Sequence, residues 1–287
     1  MRRLATLRFH TRRGWVTGHI ISVPDLPEQL VGDQARAEGL QLRAVQLAAD
    51  LGASVVGLGS ALAVVAGRGE AASERVGIPV TTGHAATAWA CADLARQASG
   101  DEAVGVLGFR STVGDAVAAL LAEDRVIKVA ARGAADHRRA KTLGVSACPE
   151  QELLSTCSVL VGAATSGPSV DPAALAPGTV LVDLSNPPSL KPGPTAAGVV
   201  VLAGETVSWP GAVRSGGWGT LWRAFAGYEG GLAYACLAEP LAAAAMGCEP
   251  WSAGRRLDAA RVRACGATLT ELGFRPTLHR RRSAPKP

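Results

Sequence analysis

A glycine-containing turn near the middle of the chain has the residue types that hold the pyrophosphate of a dinucleotide. The run Gly108-Phe-Arg-Ser-Thr-Val-Gly114 lies between an apolar, strand-like segment and an apolar helix pattern. Gly108 can form the bend, and Gly114 lets the helix meet the sheet closely. Ser111 stands where a glycine is usual, but it is small and its hydroxyl can donate to a phosphate oxygen. We therefore predict a dinucleotide-binding turn, to which Arg110 adds a cation, with an ordinary strand-to-helix turn as the alternative.

The end of the next strand predicts which nicotinamide cofactor is preferred. Enzymes that use NAD usually place a carboxylate there, which accepts hydrogen bonds from the ribose hydroxyls. Here the strand runs Lys128-Val-Ala-Ala-Arg-Gly133, with no acid and with Arg132 at its tip. A guanidinium can hold a 2′-phosphate through two hydrogen bonds, so we predict NADPH, with a solvated loop arginine as the alternative. The predicted cofactor-binding residues are Gly108, Arg110, Ser111, Thr112, Gly114, Arg132, Ala164 and Thr165.

Three groups of residues could hold or attack a substrate beside this cofactor. A turn that opens a helix offers Thr82 and Thr87 as hydrogen-bond donors and His84 as a proton carrier, although the threonines could equally cap the helix. A second group, Thr165-Ser-Gly-Pro168, follows a predicted strand whose carboxyl end would line a ligand crevice. The third is Cys236, a candidate nucleophile in an apolar helix, where a cysteine is more often part of the core.

The elements that must position these residues are typical of an α/β protein. From residue 103 onward, short apolar strands alternate with helices, an order that builds a parallel sheet. We predict a Rossmann-type doubly wound parallel sheet with a second, smaller α/β substrate domain. In this prediction residues 1–100 form the substrate and catalytic domain, and residues 101–225 bind the cofactor. Residues 226–287 add C-terminal helices to the catalytic domain and end in a basic, disordered tail from about residue 279.

Composition narrows the class of protein and its surroundings. The 287 residues are 48% hydrophobic, and the net charge of +5 is concentrated towards the two ends. Such basic ends suit an acidic partner as well as nucleic acid, and we expect no nucleic-acid partner. Six cysteines without CxxC spacing, no metal-ligand spacing and no signal peptide predict a cytoplasmic protein with reduced thiols. No unbroken apolar run is long enough to cross a membrane, so we expect at most peripheral membrane contact.

Seven stretches of the chain, from about Thr17 to Arg275, resemble the long-chain acyl–acyl carrier protein reductases of cyanobacteria, which form fatty aldehydes. The stretches occur in the same order and with similar spacing as in that family. They are GHIISVPDLPEQL, VVGLGSALAVVAGRG, VTTGHAATAW, GFRSTVG, VAARG, DPAALAPGTVLVDLSNPP and AYACLAEPLA. The chain departs from the family at Ser111, after the glycine of TTGHAAT, in a shorter N-terminal segment, and near Cys248, where the family has a histidine.

The resemblance implies a two-domain α/β fold, NADPH, and a cysteine that takes up the acyl group as an enzyme thioester. The reactive cysteine of the family lies in a motif similar to AYACLAEP, which matches Cys236. The thiolate would attack an acyl thioester of acyl carrier protein or coenzyme A, and hydride from NADPH would then expel it and leave an aldehyde. Backbone donors or Thr82 and Thr87 would stabilise the oxyanion. The acyl group could come from a carrier-bound pathway other than fatty acid synthesis.

Two other functions are compatible with these residues. An NADP-dependent dehydrogenase of a small polar acid, similar to shikimate dehydrogenases, would need a lysine–aspartate pair in its cleft. Asp183 is a candidate for the acid, but residues 1–100 contain no lysine. The other function is a non-catalytic NADP-binding sensor or scaffold, which would account for Ser111 and for the altered residues of the TTG turn.

Overall fold

The chain divides into two compact units that alternate along the sequence. A computed structural model describes residues 1–164, 167–185, 187–215, 231–254 and 257–280. One unit contains Met1–Ala86 and Val207–Arg275, and the other contains Thr87–Thr206 and the segment that begins at Pro276. The structure therefore divides the chain after Ala86 and after Thr206, whereas the boundaries predicted from the sequence follow residues 100 and 225.

The first unit opens with an antiparallel hairpin. Strand β1 (Arg2–Thr11) pairs with β2 (Gly14–Ser22), and Gly14 at the turn has a φ of 115°, which a glycine adopts without strain. Exposed and buried residues alternate along β1, so one face of the hairpin lies on the core and the other faces solvent.

A helical segment follows the hairpin and leads to a pair of short parallel strands. Its helices are α1 (Pro27–Gly32), α2 (Gln34–Asp50) and α3 (Glu70–Val76), with 3₁₀ turns at Ser60–Ala63 and Ala66–Gly69. Strand β3 (Val56–Gly57) pairs in parallel with β4 (Val80–Thr81). Helix α4 (His84–Ala98) then begins directly after the Thr81–Gly83 turn.

The second unit contains a six-stranded parallel sheet. Its strands are β5 (Val104–Leu107), β6 (Ile127–Ala130), β7 (Ser146–Cys148), β8 (Val159–Gly162), β9 (Val180–Asp183) and β10 (Val200–Ala203). Its helices are α5 (Thr112–Leu121), α6 (Ala134–Leu143) and α7 (Glu150–Thr156), with a 3₁₀ turn at Pro172–Ala174. The strand order is β7-β6-β5-β8-β9-β10, which is the 3-2-1-4-5-6 order of a Rossmann fold counted from the first strand of the unit. The predicted doubly wound parallel sheet is confirmed.

The chain then returns to the first unit. The elements there are β11 (Thr206–Ser208), β12 (Val213–Ser215), β13 (Leu232–Tyr234), α8 (Ala235–Met246), α9 (Ala259–Leu272) and β14 (Arg275–Pro276). Strand β12 adds to the hairpin to give the order β12-β1-β2, and a further sheet has the order β13-β11-β14. Among the described residues, none of the helices combines the length and the apolar character that crossing a bilayer requires.

Two expectations for the C-terminal part differ from the structure. Helical spacing of apolar residues predicts one helix over about Tyr228–Met246. Residues 228–230 lie outside the described residues, Leu232–Tyr234 is a strand, and the helix begins at Ala235. The predicted disordered tail begins at about residue 279, yet the carbonyl of His279 accepts a hydrogen bond of 2.9 Å from the Ala203 backbone N–H. Residues 281–287 of that tail lie outside the described residues.

Candidate cofactor and thiol sites

The predicted cofactor turn is built on two glycines that have no room for a side chain. Gly108 has a φ of 72°, and a Cβ atom on it would lie 2.5 Å from the backbone of Ala163 and Ala164. A Cβ atom on Gly114 would lie 2.4 Å from the carbonyl oxygen of Gly108. The backbone of the turn therefore comes as close to strand β8 and to its own helix as only glycine permits.

Ser111, the residue that departs from the usual glycine, caps helix α5. Its Oγ accepts a hydrogen bond of 2.9 Å from the Gly114 N–H, and its own N–H donates to the Gly108 carbonyl oxygen at 2.9 Å. Thr112 is the first residue of the helix. The serine thus stabilises the helix N-terminus, and its hydroxyl keeps a proton to donate; donation to a phosphate stays a prediction.

A cavity of about 240 Å³ lies at the carboxyl ends of strands β5, β6 and β8. It is lined by Gly108, Phe109, Arg110, Ser111, Ala130, Arg132, Glu150 and Ala164. The strand order reverses between β5 and β8, and a doubly wound sheet binds its ligand outside the strand ends at such a point. Most of the predicted cofactor residues are therefore brought together, while Thr165 lies outside the described residues.

The two arginines at this cavity are exposed and belong to ion pairs. Nε of Arg110 lies 3.7 Å from the Asp136 carboxylate, and the Arg132 guanidinium lies 3.1 Å from Glu150. The side chains of Arg110 and Arg132 are 70% and 64% exposed, so each ion pair contributes little to stability. Asp136 also accepts a hydrogen bond of 2.8 Å from the Arg132 backbone N–H, which fixes the backbone at the end of β6. A phosphate can replace Glu150 as the partner of Arg132 without disturbing a buried contact.

Cys236 is the second residue of helix α8 and is half-buried. Its backbone lies against Gly83, where a Cβ atom would be 2.5 Å from the carbonyl oxygen of Cys236 and 2.6 Å from its Cα and Cβ. Gly83 has a φ of 71°, so two independent constraints require glycine at this position. The structure thus brings the TTG turn and Cys236 together, and the helix N-terminus that carries the sulfur favours negative charge.

The other five cysteines are in surroundings that oppose a thiolate. Four of them, Cys91, Cys148, Cys157 and Cys265, are buried, and Cys248 is exposed. Desolvation is the largest cause that raises the pKa of each of these five thiols. For Cys91 and Cys265 the pKa is raised well above its usual value. Among the six, Cys236 is the one at a helix N-terminus with access to solvent.

Glu239, which the sequence analysis does not single out as a site residue, is the centre of the hydrogen bonds around the TTG turn. It is 0% exposed. Oε1 accepts from the hydroxyl of Thr81 at 2.6 Å and from the N–H and hydroxyl of Ser252, both at 2.8 Å. Oε2 accepts from the N–H of Ala86 at 3.2 Å, in the first turn of α4. The Glu239 carboxylate, one helical turn after Cys236, therefore joins strand β4, helix α4 and the loop around Ser252, which we call the 252 loop. The signal in the sequence is a single acid in the apolar run AYACLAEPLA.

The predicted oxyanion donors Thr82 and Thr87 are both buried. The hydroxyl and the backbone N–H of Thr82 donate to the Ser252 carbonyl oxygen, at 3.3 and 3.0 Å. Thr82 thus helps to fix the 252 loop against the turn, and its role towards a substrate stays a prediction. Thr87, the fourth residue of α4, belongs to the other compact unit.

His84 is the first residue of helix α4, and its imidazole is neutral at pH 7. Burial, with a smaller contribution from the Arg68 cation, lowers its pKa to about 4. Its Nδ1 is buried and has no hydrogen-bond partner among the described residues. A neutral imidazole can accept a proton but is a poor acid, which restricts the proton-transfer role predicted for His84.

Asp183, the acid required by the small-acid dehydrogenase alternative, is part of the loop structure after β9. The side chain is 0% exposed. It accepts hydrogen bonds from the N–H of Ser185 at 3.0 Å, the N–H of Ser189 at 2.9 Å and the hydroxyl of Ser189 at 2.8 Å. These bonds give the carboxylate a structural role. Within the residues that the structure describes, no group of His, Cys, Asp and Glu could hold a metal ion.

The second unit has a Rossmann-type α/β fold with a cavity at the switch point of its parallel sheet. No protein-family model matches the chain. Among curated proteins it is similar to Aminotransferase PigE from Serratia sp. (strain ATCC 39006), with 28% identity over 225 residues, or 70% of this chain. The chain spans about a quarter (26%) of the length of that relative.

The solved structures that are similar to this chain include three enzymes. L-tryptophan dehydrogenase from Nostoc punctiforme shares 13% identity, with a TM-score of 0.35 over 90% of this chain and 77% of that chain. Dipicolinate synthase from Bacillus halodurans shares 20% identity, with a TM-score of 0.34 over 49% of this chain and 52% of that chain. Apo D-mandelate dehydrogenase from Rhodotorula graminis shares 13% identity, with a TM-score of 0.28 over 52% of this chain and 64% of that chain.

Proposed function

We propose that this protein is an NADPH-dependent reductase that converts a carrier-bound acyl thioester to an aldehyde through an acyl-enzyme on Cys236. The observation that carries the proposal is the position of Cys236, at the N-terminus of α8 and in direct contact with Gly83. A buried core cysteine, the alternative interpretation of an isolated thiol, does not need such surroundings. The proposal also agrees with the resemblance of the sequence to aldehyde-forming acyl–acyl carrier protein reductases.

The first step is the transfer of the acyl group to the enzyme. The Cys236 thiolate attacks the thioester carbonyl, a bond from carbon to Sγ forms, and the bond from carbon to the carrier sulfur breaks. The carrier thiolate leaves and takes up a proton from solvent. The N-terminus of α8 stabilises the attacking thiolate before this step, and the same partial positive charge favours its release from the acyl-enzyme.

The buried residues around Cys236 hold the thiol in place. Glu239 joins Thr81, Ala86 and Ser252, and Gly83 lies on the backbone of Cys236. Because these contacts are buried, the side chain of Cys236 is presented from a rigid support. This is the arrangement expected of a nucleophile whose reaction depends on its position.

The cofactor turn and the two arginines would hold a nicotinamide dinucleotide in the second unit. The glycine backbone and the N-terminus of α5 fit a pyrophosphate, and Arg132 fits a 2′-phosphate. NADPH, when bound, would supply the hydride that turns the enzyme thioester into an aldehyde and returns the thiolate of Cys236. The aminotransferase activity in the name of the Serratia relative is not proposed for this chain, which spans 26% of that protein.

Intact mass spectrometry tests the nucleophile. The protein is mixed with an acyl thioester in the absence of NADPH, and we expect a mass increase equal to one acyl group. Cys236→Ser should abolish a thioester that hydroxylamine removes, whereas Cys248→Ser, at the exposed cysteine, should not. An adduct that persists in Cys236→Ser, or that depends on Cys248, would contradict the proposal.

Kinetics with the two nicotinamide cofactors test the specificity. Because Arg132 lines the cavity, Arg132→Glu is expected to reduce the preference for NADPH over NADH by at least about tenfold. Arg138→Glu makes the same change at an exposed position of α6 that does not line the cavity, so it is the matched control. An unchanged preference in Arg132→Glu would remove the assignment of NADPH.

A further inference from the structure

The solvent face of the sheet β12-β1-β2 carries a group of positive charges. Because side chains alternate along a strand, Thr6, Arg8 and His10 of β1 share the exposed face, and Arg8 lies opposite Arg214 of β12. Trp15 and His19 of β2 lie on the same face. Arg3 lies there too, because the register shift after it pairs it with Ile21, two residues beyond His19 on the same face of β2. We define Arg3, Arg8, Trp15 and Arg214 as the basic face.

Two of these arginines have like charges side by side. The guanidinium carbons of Arg8 and Arg214 lie 5.2 and 4.8 Å from the ring centroid of Trp15, which is 36% exposed. Like charges directly opposite one another on a sheet are destabilising, and the ring of Trp15 attracts both guanidiniums without neutralising their charge. A surface that keeps such a pair is suited to an anionic partner.

No carboxylate of the described residues neutralises the basic face. Strands β1, β2 and β12 contain no Asp or Glu, and residues 1–24 of the chain contain none. Within the described part of the chain, Arg3, Arg8 and Arg214 form no ion pair, whereas other arginines do. Arg13 pairs with Glu271 and Arg139 pairs with Asp115.

The other side of the same sheet lies on the helix that carries Cys236. A Cβ atom on Gly18 of β2 would be 3.0 Å from the ring of Phe9 and 4.0 Å from Leu241 of α8. The basic face and the thiol-bearing helix are therefore two layers of one compact unit. A macromolecule bound to the face would be held on the unit that contains the nucleophile.

We propose that the basic face docks an acidic helix of the acyl carrier that presents the thioester, an inference that rests on the proposed function. Charge complementarity favours this occupant. A face three strands wide measures about 10 Å across, which is the diameter of one helix. A nucleic acid is favoured less, because the ring of Trp15 is engaged by two guanidiniums and is a poor platform for base stacking.

Kinetics with two thioesters of the same acyl group test the docking face. One thioester is carried by an acidic acyl carrier protein and the other by N-acetylcysteamine, which is small and uncharged. In Arg8→Glu, two facing like charges become opposite charges, which offsets the lost contact between Arg8 and Trp15, so the sheet should still form. We expect KM for the carrier thioester to rise about tenfold and turnover of the N-acetylcysteamine thioester to stay unchanged.

Two further variants make the result specific. Arg43→Glu changes an exposed arginine of α2 in the same unit and should behave as wild type with both thioesters. Arg214→Gln removes one charge and should raise KM for the carrier thioester by a smaller factor. Because salt screens exposed charges, KM of the wild type for the carrier should rise with KCl, and KM of Arg8→Glu should rise less.

Binding of the unacylated carrier, followed by the anisotropy of a dye attached to it, separates docking from chemistry. If neither thioester is turned over but Arg8→Glu weakens a salt-sensitive carrier complex, the docking face stands and the proposed function fails. Equal effects of Arg8→Glu on both thioesters, or equal effects of Arg8→Glu and Arg43→Glu, overturn the docking face. The docking face is also overturned if Arg8→Glu loses binding of an oligonucleotide while its KM for the carrier thioester is unchanged.

Discussion

At the scale of single residues, Glu239 connects three segments around the thiol, and its carboxylate accepts from four donors. In Glu239→Gln, the amide NH₂ would face at least one of these donors, which leaves a buried polar group unpaired. We expect a loss of about 1–3 kcal/mol in the free energy of unfolding and slower acylation of Cys236. Urea denaturation and timed mass spectrometry measure the two effects. Glu249→Gln, at an exposed position near the end of α8, is the control and should change neither.

His84 is the residue whose surroundings predict a pH dependence of stability. Its pKa is about 4 in the folded protein and about 6.5 in the unfolded chain, so the unfolded chain binds more protons between these values. The stability contributed by the neutral imidazole is complete above about pH 6.5 and is lost as the pH falls towards 4, by up to about 3 kcal/mol. Urea denaturation between pH 4 and 7 should show a smaller dependence in His84→Gln. The same dependence in both proteins would contradict this account.

The sequence predicted those site residues that stand in short motifs, and it did not predict residues whose role depends on their hydrogen-bond partners in the fold. The glycine turn, Arg132 and Cys236 stand in short motifs, and the structure brings the first two to one cavity. Glu239 was missed because none of its donors is a near neighbour in sequence: Ser252 is 13 residues away, and Thr81 and Ala86 are more than 150 away. Asp183 looked like a candidate acid because sequence does not show that neighbouring serines take up its hydrogen bonds.

At the scale of elements, Ser111 provides a direct test of how the N-terminus of α5 is stabilised. Its Oγ accepts from the Gly114 N–H, and Ser111→Ala removes this bond while the helix retains its other contacts. We expect Ser111→Ala to lower the free energy of unfolding by about 1 kcal/mol and Ser111→Gly by only a few tenths, since glycine is tolerated at this position. Urea denaturation without cofactor measures both. A greater loss in Ser111→Gly than in Ser111→Ala would exclude the capping role.

The elements that sequence predicted well are those with a strong apolar pattern. Strand β8, Val159–Gly162, has the predicted bounds, because four apolar or small residues between polar ones are typical of a buried strand. Helix α6 was not predicted. Only Asp136 and Ala140 of its ten residues are buried, so its sequence lacks the apolar residues at helical spacing that would indicate a helix. The start of α8 was wrong because Leu232–Tyr234 fits a helix by spacing, but tertiary pairing with β11 makes it a strand.

At the scale of the whole molecule, the strand order and the grouping of the C-terminal helices with the N-terminal segment were expected from the sequence, whereas the positions of the boundaries were not. The first unit consists of Met1–Ala86 and Val207–Arg275, so residues distant in sequence complete it. Linker composition predicts a boundary at Ala98–Asp101, whereas the compact units divide after Ala86, within α4. A helix that runs across a boundary leaves no turn signal in the sequence.

Because the cofactor turn and Cys236 belong to different compact units, a substitution should be able to abolish NADPH binding without abolishing acylation, and the reverse. Gly108→Ala places a Cβ atom 2.5 Å from the Ala163 and Ala164 backbone and should abolish stabilisation by NADPH, while acylation of Cys236 continues. Cys236→Ser should lose acylation but keep the stabilisation by NADPH. At an NADPH concentration one hundred times its Kd, the free energy of unfolding should rise by about 2.7 kcal/mol, as in the wild type. Thermal unfolding with and without NADPH, together with intact mass, measures both.

Gly133→Ala is the matched control for Gly108→Ala. Gly133 lies in the same unit, its φ of −178° is extended, and a Cβ atom there would meet nothing within 4 Å. This variant should therefore keep both stabilisation by NADPH and acylation. If Cys236→Ser also lost the stabilisation by NADPH, the sulfur would be part of the cofactor site, and the assignment of separate roles to the two units would be wrong.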